Sequence, residues 1–292
     1  ECRRPHGRSA GGMDDRLPDL ALGPVDLVVA DLERSASFYR DVVGLRVLAA
    51  GPARAELGVD APLVRLVEEP DARPAGGEAG LFHLALLLPG RADLARWAQH
   101  AAGGRVPLEG ASDHVVSEAV YLRDPDGHGI EIYADRPREV WEGRVDRLMT
   151  TLPLDLPDLL ARADPAEPIG GLPAGTAMGH IHLQVADVPA TIAWYRDVLG
   201  LDLVATYGPQ AAFLSAGGYH HHIGANTWRS AGAAPAGPGT ARLARAALGV
   251  PAGHLGTVVD RVRAAGGETA EADGAVLVRD PSGVPLALTA AP

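Results

Sequence analysis

Lysine is missing from this chain: all 26 basic side chains are arginine, set against 37 acidic ones. The net charge of −11 excludes a nucleic-acid binder, which needs a basic surface to neutralise phosphates. Cys2 is the single cysteine, which excludes a disulfide framework and a multi-cysteine zinc site and fits a reducing cytoplasm. No apolar run nears the ~18 residues of a membrane span, and the Arg- and Gly-rich opening has no apolar stretch like that of a secretory signal. A cytoplasmic protein with neither membrane nor nucleic-acid partners is expected. Its 47% hydrophobic and 22% charged residues suit a globular chain, and 292 residues suggest two domains at about 150 each. What is present in quantity is histidine, eleven in all, with three consecutive at 220–222.

The chain repeats itself. VDLVVADLERSASFYRDVVGLRVL from Val25 matches IHLQVADVPATIAWYRDVLGLDLV from Ile181, so that Asp31 pairs with Asp187, Tyr39 with Tyr195 and Gly44 with Gly200. The same offset joins VYLRDPDGHGIEIY, from Val120, to VLVRDPSGVPLAL, from Val276. A repeat at constant offset over this length means two halves of one architecture.

Within each half, a β-branched strand, a break and a helix with three- and four-residue apolar spacing are followed by short strands. LFHLALLLPGRADLARWAQHAAG, from Leu81, restarts the same grammar. The pattern predicts an α+β protein of four βαβββ modules. Residues 1–16 are expected to be a disordered arm, with Met13 as a natural start. The halves are expected at 17–135 and 177–292, joined by a Pro- and Gly-rich linker at 136–176. Asp124, Gly127 and Gly283 read as turn chemistry.

Strand–Asp–helix followed by FYRDVVGL or WYRDVLGL and closed by DPDGHGIEIY resembles the vicinal-oxygen-chelate (VOC) superfamily of glyoxalase I, bleomycin-resistance proteins and extradiol dioxygenases. The resemblance covers about residues 22–135 and 178–290. DHVVSEAVYLRDPDGHGIEIYADRP, GHIHLQVAD and GGYHHHIGANTW are similar to its two-domain catechol 2,3-dioxygenase branch. It implies two tandem halves whose modules curl into cup-shaped mixed sheets.

It also implies a His on one module's first strand, with a His on the first strand and a Glu on the last strand of its partner. In this sequence His180, His83 and Glu131 occupy those positions. The internal counterparts are Pro24, Arg245 and Ala287, so neither half alone holds a site. Modules two and three are therefore expected to pair across the chain's midpoint. Alone, a histidine in an apolar strand is more often a hydrogen-bonded core residue, and the weight here comes from the three positions together.

Two imidazoles and a carboxylate leave a metal open positions, the pattern of non-heme Fe(II) oxygen chemistry, and the same donors suit Mn(II). The resemblance thus implies an extradiol-type, ring-cleaving dioxygenase whose partners are a small catechol-like aromatic and O2. His222 is favoured as acid/base, since His220 and His222 would share one strand face and His221 the other. Tyr121, ten residues before Glu131, resembles a tyrosine that hydrogen-bonds substrate, and His114 is a further candidate. His182 reads as a strand-end or supporting residue. A glyoxalase-like isomerase or lyase, with His222 as fourth ligand, remains an alternative. So do a non-catalytic small-molecule binder and a scaffold or sensor. The oligomeric state is open, a homo-oligomer included.

Overall fold

The structure, a computed structural model, describes residues 16–163 and 170–291. Residues 1–15 of the expected arm, Met13 among them, lie outside the described residues. Arg16 donates to the carbonyls of Arg196 and Leu201, and Leu17 and Leu20 are buried.

Module one comprises β1 (Ala21–Val29), α1 (Leu32–Phe38), β2 (Arg46–Ala50), β3 (Arg54–Gly58) and β4 (Pro62–Glu68). Module two comprises β5 (Gly80–Leu87), α2 (Arg91–Gly103), β6 (Gly110–Asp113), β7 (Ser117–Arg123) and β8 (Gly129–Asp135). The connection is more ordered than its Pro and Gly content suggests. It carries α3 (Arg138–Trp141), α4 (Val145–Leu148), β9 (Leu152–Pro153) and α5 (Leu156–Leu160). It is held because Trp141 and Val145 bury against Val116, and β9 pairs with β6. Module three follows with β10 (Ala177–Gln184), α6 (Val188–Trp194), β11 (Asp202–Tyr207), β12 (Ala211–Ser215) and β13 (Ile223–Asn226). Module four has β14 (Arg242–Pro251), α7 (Ala252–Ala264), β15 (Ala270–Ala272), β16 (Ala275–Arg279) and β17 (Pro285–Ala291).

The repeat is visible in the chemistry of the helix ends. The Asp31 and Asp187 side chains cap α1 and α6 by accepting from the Arg34 and Ala190 backbone N–H groups. Both helices widen into a single π-type turn, Tyr39–Val43 and Tyr195–Leu199, and stop at Gly44 and Gly200. The left-handed φ of 96° and 88° at these glycines closes each helix. Tyr39 and Tyr195, both buried, donate to Asp124 and Asp280 in the turn of the following module. Each carboxylate also accepts two backbone N–H groups of its own turn, with Gly127 and Gly283 at positive φ.

Two mixed sheets result. One joins modules four and one in the order β15-β16-β17-β14-β1-β4-β3-β2. The other joins modules three and two in the order β11-β12-β13-β10-β5-β8-β7-β6-β9. Each curled sheet is therefore made from one module of each half. Alternation along β5 and β8 sends Leu84, Leu86, Ile130 and Ile132 into the main core, leaving His83, Ala85, Gly129 and Glu131 for the cup. Trp97 of α2, fully buried, donates its indole N–H to the carbonyl of Val43 and so ties module two to module one. Trp97→Ala should cost about 3–5 kcal/mol of stability, through a cavity and the lost bond, as measured by chemical denaturation.

Candidate metal centre

The central pairing of the second sheet is β10 against β5, antiparallel, with His182 opposite His83 and Ala85 opposite His180. On its other side β5 runs parallel to β8, which sets Ala85 beside Glu131 and His83 beside Gly129. A row therefore crosses the cup floor as His180, Ala85, Glu131 and Tyr121. Ala85 lies between the histidine and the carboxylate, and its single methyl leaves the space above it open. Gly129 is needed beside His83, because a Cβ there would meet the Phe82 carbonyl oxygen at 2.2 Å.

His83, Glu131 and His180 converge above this row, all three buried, with their potential ligand atoms within 4.8 Å of one another. Glu131 Oε2 lies 3.0 Å from His83 Nε2 and 3.2 Å from His180 Nε2. Donors held at about 2.0–2.2 Å around one ion, at near right angles, sit roughly 3 Å apart, so the spacing fits a divalent metal. The His83 Nε2 atom is buried and makes no aligned hydrogen bond. Burial works against the Glu131 charge, but the adjoining imidazoles, His180 foremost, hold the carboxyl well below its usual range. Burial pushes His180 down, against the pull of Glu131, in the direction of the neutral imidazole that ligation requires.

A cavity of about 400 Å³ opens over the three residues. Tyr121 and His114 line it, joined by a 2.7 Å bond between Tyr121 Oη and His114 Nε2. His182 also lines it, which reading it as a strand-end residue did not foresee. Two residues from His180 on one strand, it shares that face, and the period of two was the available signal. Its buried Nε2 has no hydrogen-bond partner.

The triple histidine departs from expectation. β13 begins only at Ile223, so residues 220–222 follow the glycine turn at Gly217 and Gly218 instead of alternating along a strand. His222, expected to face the cup as acid/base or fourth ligand, turns away and does not line the cavity. Its Nδ1 accepts from Ser215 Oγ at 2.9 Å and from the Ala216 N–H. His221 lines the cavity instead, its ring 4.1 Å from that of His180. His220 Nε2 donates to Asp135 at 2.8 Å, and His220 Nδ1 lies 2.8 Å from His221 Nδ1. In the other sheet, the counterparts of His182 and His83 are Asp26 and Arg245, which form a 2.8 Å ion pair.

The model of the glyoxalase/bleomycin resistance protein/dioxygenase superfamily matches residues 21–132 and 177–288. The chain belongs to this superfamily. This VOC protein is 42% identical, over 277 residues, to catechol-2,3-dioxygenase of Bacillus subtilis (strain 168), covering 90% of this chain and 94% of the relative. Its fold resembles a candidate dioxygenase from Bacillus subtilis subsp. subtilis, with a TM-score of 0.64 at 17% identity over 95% of this chain and 86% of that one. It also resembles glyoxalase I from Zea mays, with a TM-score of 0.57 at 17% identity over 93% and 92%. No helix among the described residues is long and apolar enough to cross a membrane.

Burial holds His222 down at about 4, against the pull of the Asp19 carboxylate. Its folded pKa lies below its unfolded value of about 6.5, so it contributes stability above that pH and loses it as pH falls toward about 4. The full change is up to about 3 kcal/mol. His222→Asn should flatten the pH dependence of unfolding free energy between these limits; an unchanged profile would contradict the buried neutral ring.

Proposed function

We propose that this chain is an extradiol-type, ring-cleaving dioxygenase that acts on a catechol-like aromatic with O2, using a metal held by His83, Glu131 and His180. Fe(II) is the ion we favour, and Mn(II) suits the same donors. The observation that carries this reading is the convergence of two histidines from different halves on one buried carboxylate oxygen. The 42% identical relative named catechol-2,3-dioxygenase supports it. A metal so held supplies Lewis acidity, redox capacity and open positions for the adjacent oxygens of a diol and for O2.

The chain's own groups handle orientation and protons. The Asp135 carboxylate can only accept, so His220 Nε2 carries a proton; in the neutral ring its Nδ1 then accepts from His221 Nδ1–H. His221 Nε2 is left with a lone pair, and burial drives this imidazole well below its ordinary pKa. We therefore assign the removal of a diol proton to His221 Nε2, in place of His222. On the opposite wall His114 Nδ1 donates to the Thr150 carbonyl, which leaves its Nε2 to accept from Tyr121 Oη. Burial, with the Glu131 charge beside it, holds the Tyr121 phenol well above its usual pKa. Tyr121 thus stays neutral and presents its oxygen to a bound diol, and half-buried His114 connects it toward solvent.

The glyoxalase-like alternative requires a fourth protein ligand. Among the described residues no further His, Cys, Asp or Glu joins the three.

The test is anaerobic loading with Fe(II), addition of a catechol and admission of air. A yellow ring-cleavage product with matching O2 uptake is expected. His83→Ala, Glu131→Ala and His180→Ala should each lose turnover and metal, whereas Pro24→Ala should change neither. His221→Ala should keep its metal and lose about 10²–10⁴-fold in turnover. His222→Ala should turn over normally. Full activity in His180→Ala would rule out the proposed ligand set.

A further inference from the structure

Aromatic side chains are scarce in this protein, at 4% of residues, with three phenylalanines in all. Two of the three, Phe82 and Phe213, line the cavity above the proposed metal ligands. They do not form part of the core. Phe82 stands edge-on to Trp228 at 5.3 Å between ring centroids, and His182 packs against Phe82, Phe213 and Trp228 at 5.3–5.8 Å. Tyr207 also lines the cavity. Trp228 is 45% exposed and Tyr207 64% exposed, large areas for such side chains to leave in water. An aromatic wall that runs from the interior to the surface is the kind of lining that holds the apolar body of a ligand.

The cavity volume points the same way. About 400 Å³ lies within the range of pockets that enclose ligands larger than a single six-membered ring. Its charged side chains are already matched, with Glu131 in the proposed ligand set and Asp146 3.8 Å from Arg147. Glu109, Glu131 and Asp146 line it, and Arg123 is its one arginine. That guanidinium is already engaged by the Glu109 carboxylate and by the Gly127 carbonyl. A substrate carboxylate seated against the aromatic wall, away from the proposed metal, would find no uncommitted arginine, at the usual cost of an unpaired buried charge. His182 Nε2, buried and without a hydrogen-bond partner, belongs to a ring 5.0 Å from that of His83.

We infer that the preferred substrate is a catechol bearing an uncharged, aryl-sized apolar substituent, seated against Phe82, Phe213 and Trp228, and that carboxylated catechols are disfavoured. This deepens the ring-cleaving reading above and rests on it for the diol end alone.

The experiment compares catechol, 3-phenylcatechol, 4-phenylcatechol and the 2,3- and 3,4-dihydroxybenzoates on the Fe(II)-loaded protein. Both kcat/KM in air and binding by anaerobic calorimetry are read. The better phenylcatechol should exceed catechol by about tenfold or more in kcat/KM and in affinity, as expected for burying an added ring. Both acids should fall below catechol. Trp228→Ala and Tyr207→Ala, at exposed positions, should each shrink the ratio of phenylcatechol to catechol toward one. Catechol equal to or better than both phenylcatechols, or either acid preferred, would overturn the inference. If no diol is cleaved but phenylcatechol binding persists and is weakened by Trp228→Ala, the dioxygenase reading fails and the aromatic subsite stands. If catechol is cleaved and the added ring changes nothing, the subsite fails and the dioxygenase reading stands.

Discussion

The pairing of β5 with β10 is the constraint on which the rest of this protein depends. It is an antiparallel contact between the second module of one half and the first module of the next, and it fixes which side chains face one another. Side chains alternate with a period of two, so a slip of one residue would send His180 and His182 to the opposite face. In the observed register His182 faces His83 and His180 faces Ala85. The parallel partner β8 then delivers Glu131 to the open space above that alanine. Small residues are what permit this. Ala85 leaves room over the row, and Gly129 lets β8 approach His83 more closely than any Cβ would allow.

Duplication followed by divergence explains why one cup differs from the other. The equivalent pairing of β14 with β1 builds the other sheet on the same plan, and there Asp26 and Arg245 close an ion pair across it. Pro24 and Ala287 contribute no donor where the first cup has His180 and Glu131. Both cups keep the shared turn chemistry, with a buried tyrosine on an aspartate that gathers its own loop's N–H groups. The scaffold was retained twice, whereas the cluster of potential ligands is seen once among the described residues.

Much of this was legible in the sequence because it is written in periodicity. The four modules follow from alternating apolar strands and Asp-capped helices, and the pairing of modules two and three follows from where the donor residues are missing. The triple histidine was not legible. Alternation holds only inside a strand, and residues 220–222 lie in the approach to one, after a turn with two glycines at positive φ. That is why His221 and not His222 reaches the cavity. The aromatic wall was equally hidden, since Phe82, Phe213 and Trp228 belong to three separate segments and meet only after folding. The elements between 138 and 160 escaped notice for a related reason: Trp141 and Val145 are anchors whose partner, Val116, lies in the preceding module.

The central claim is that one ion binds across the two halves, and anomalous X-ray diffraction from crystals grown with Fe(II) under anaerobic conditions tests it most directly. The account predicts a single strong peak in the cup of modules two and three, at bonding distance from Nε2 of His83, Nε2 of His180 and a carboxylate oxygen of Glu131. It predicts no peak in the cup of modules one and four. A peak lacking any of these three residues, or no ordered metal in fully loaded crystals, would contradict it.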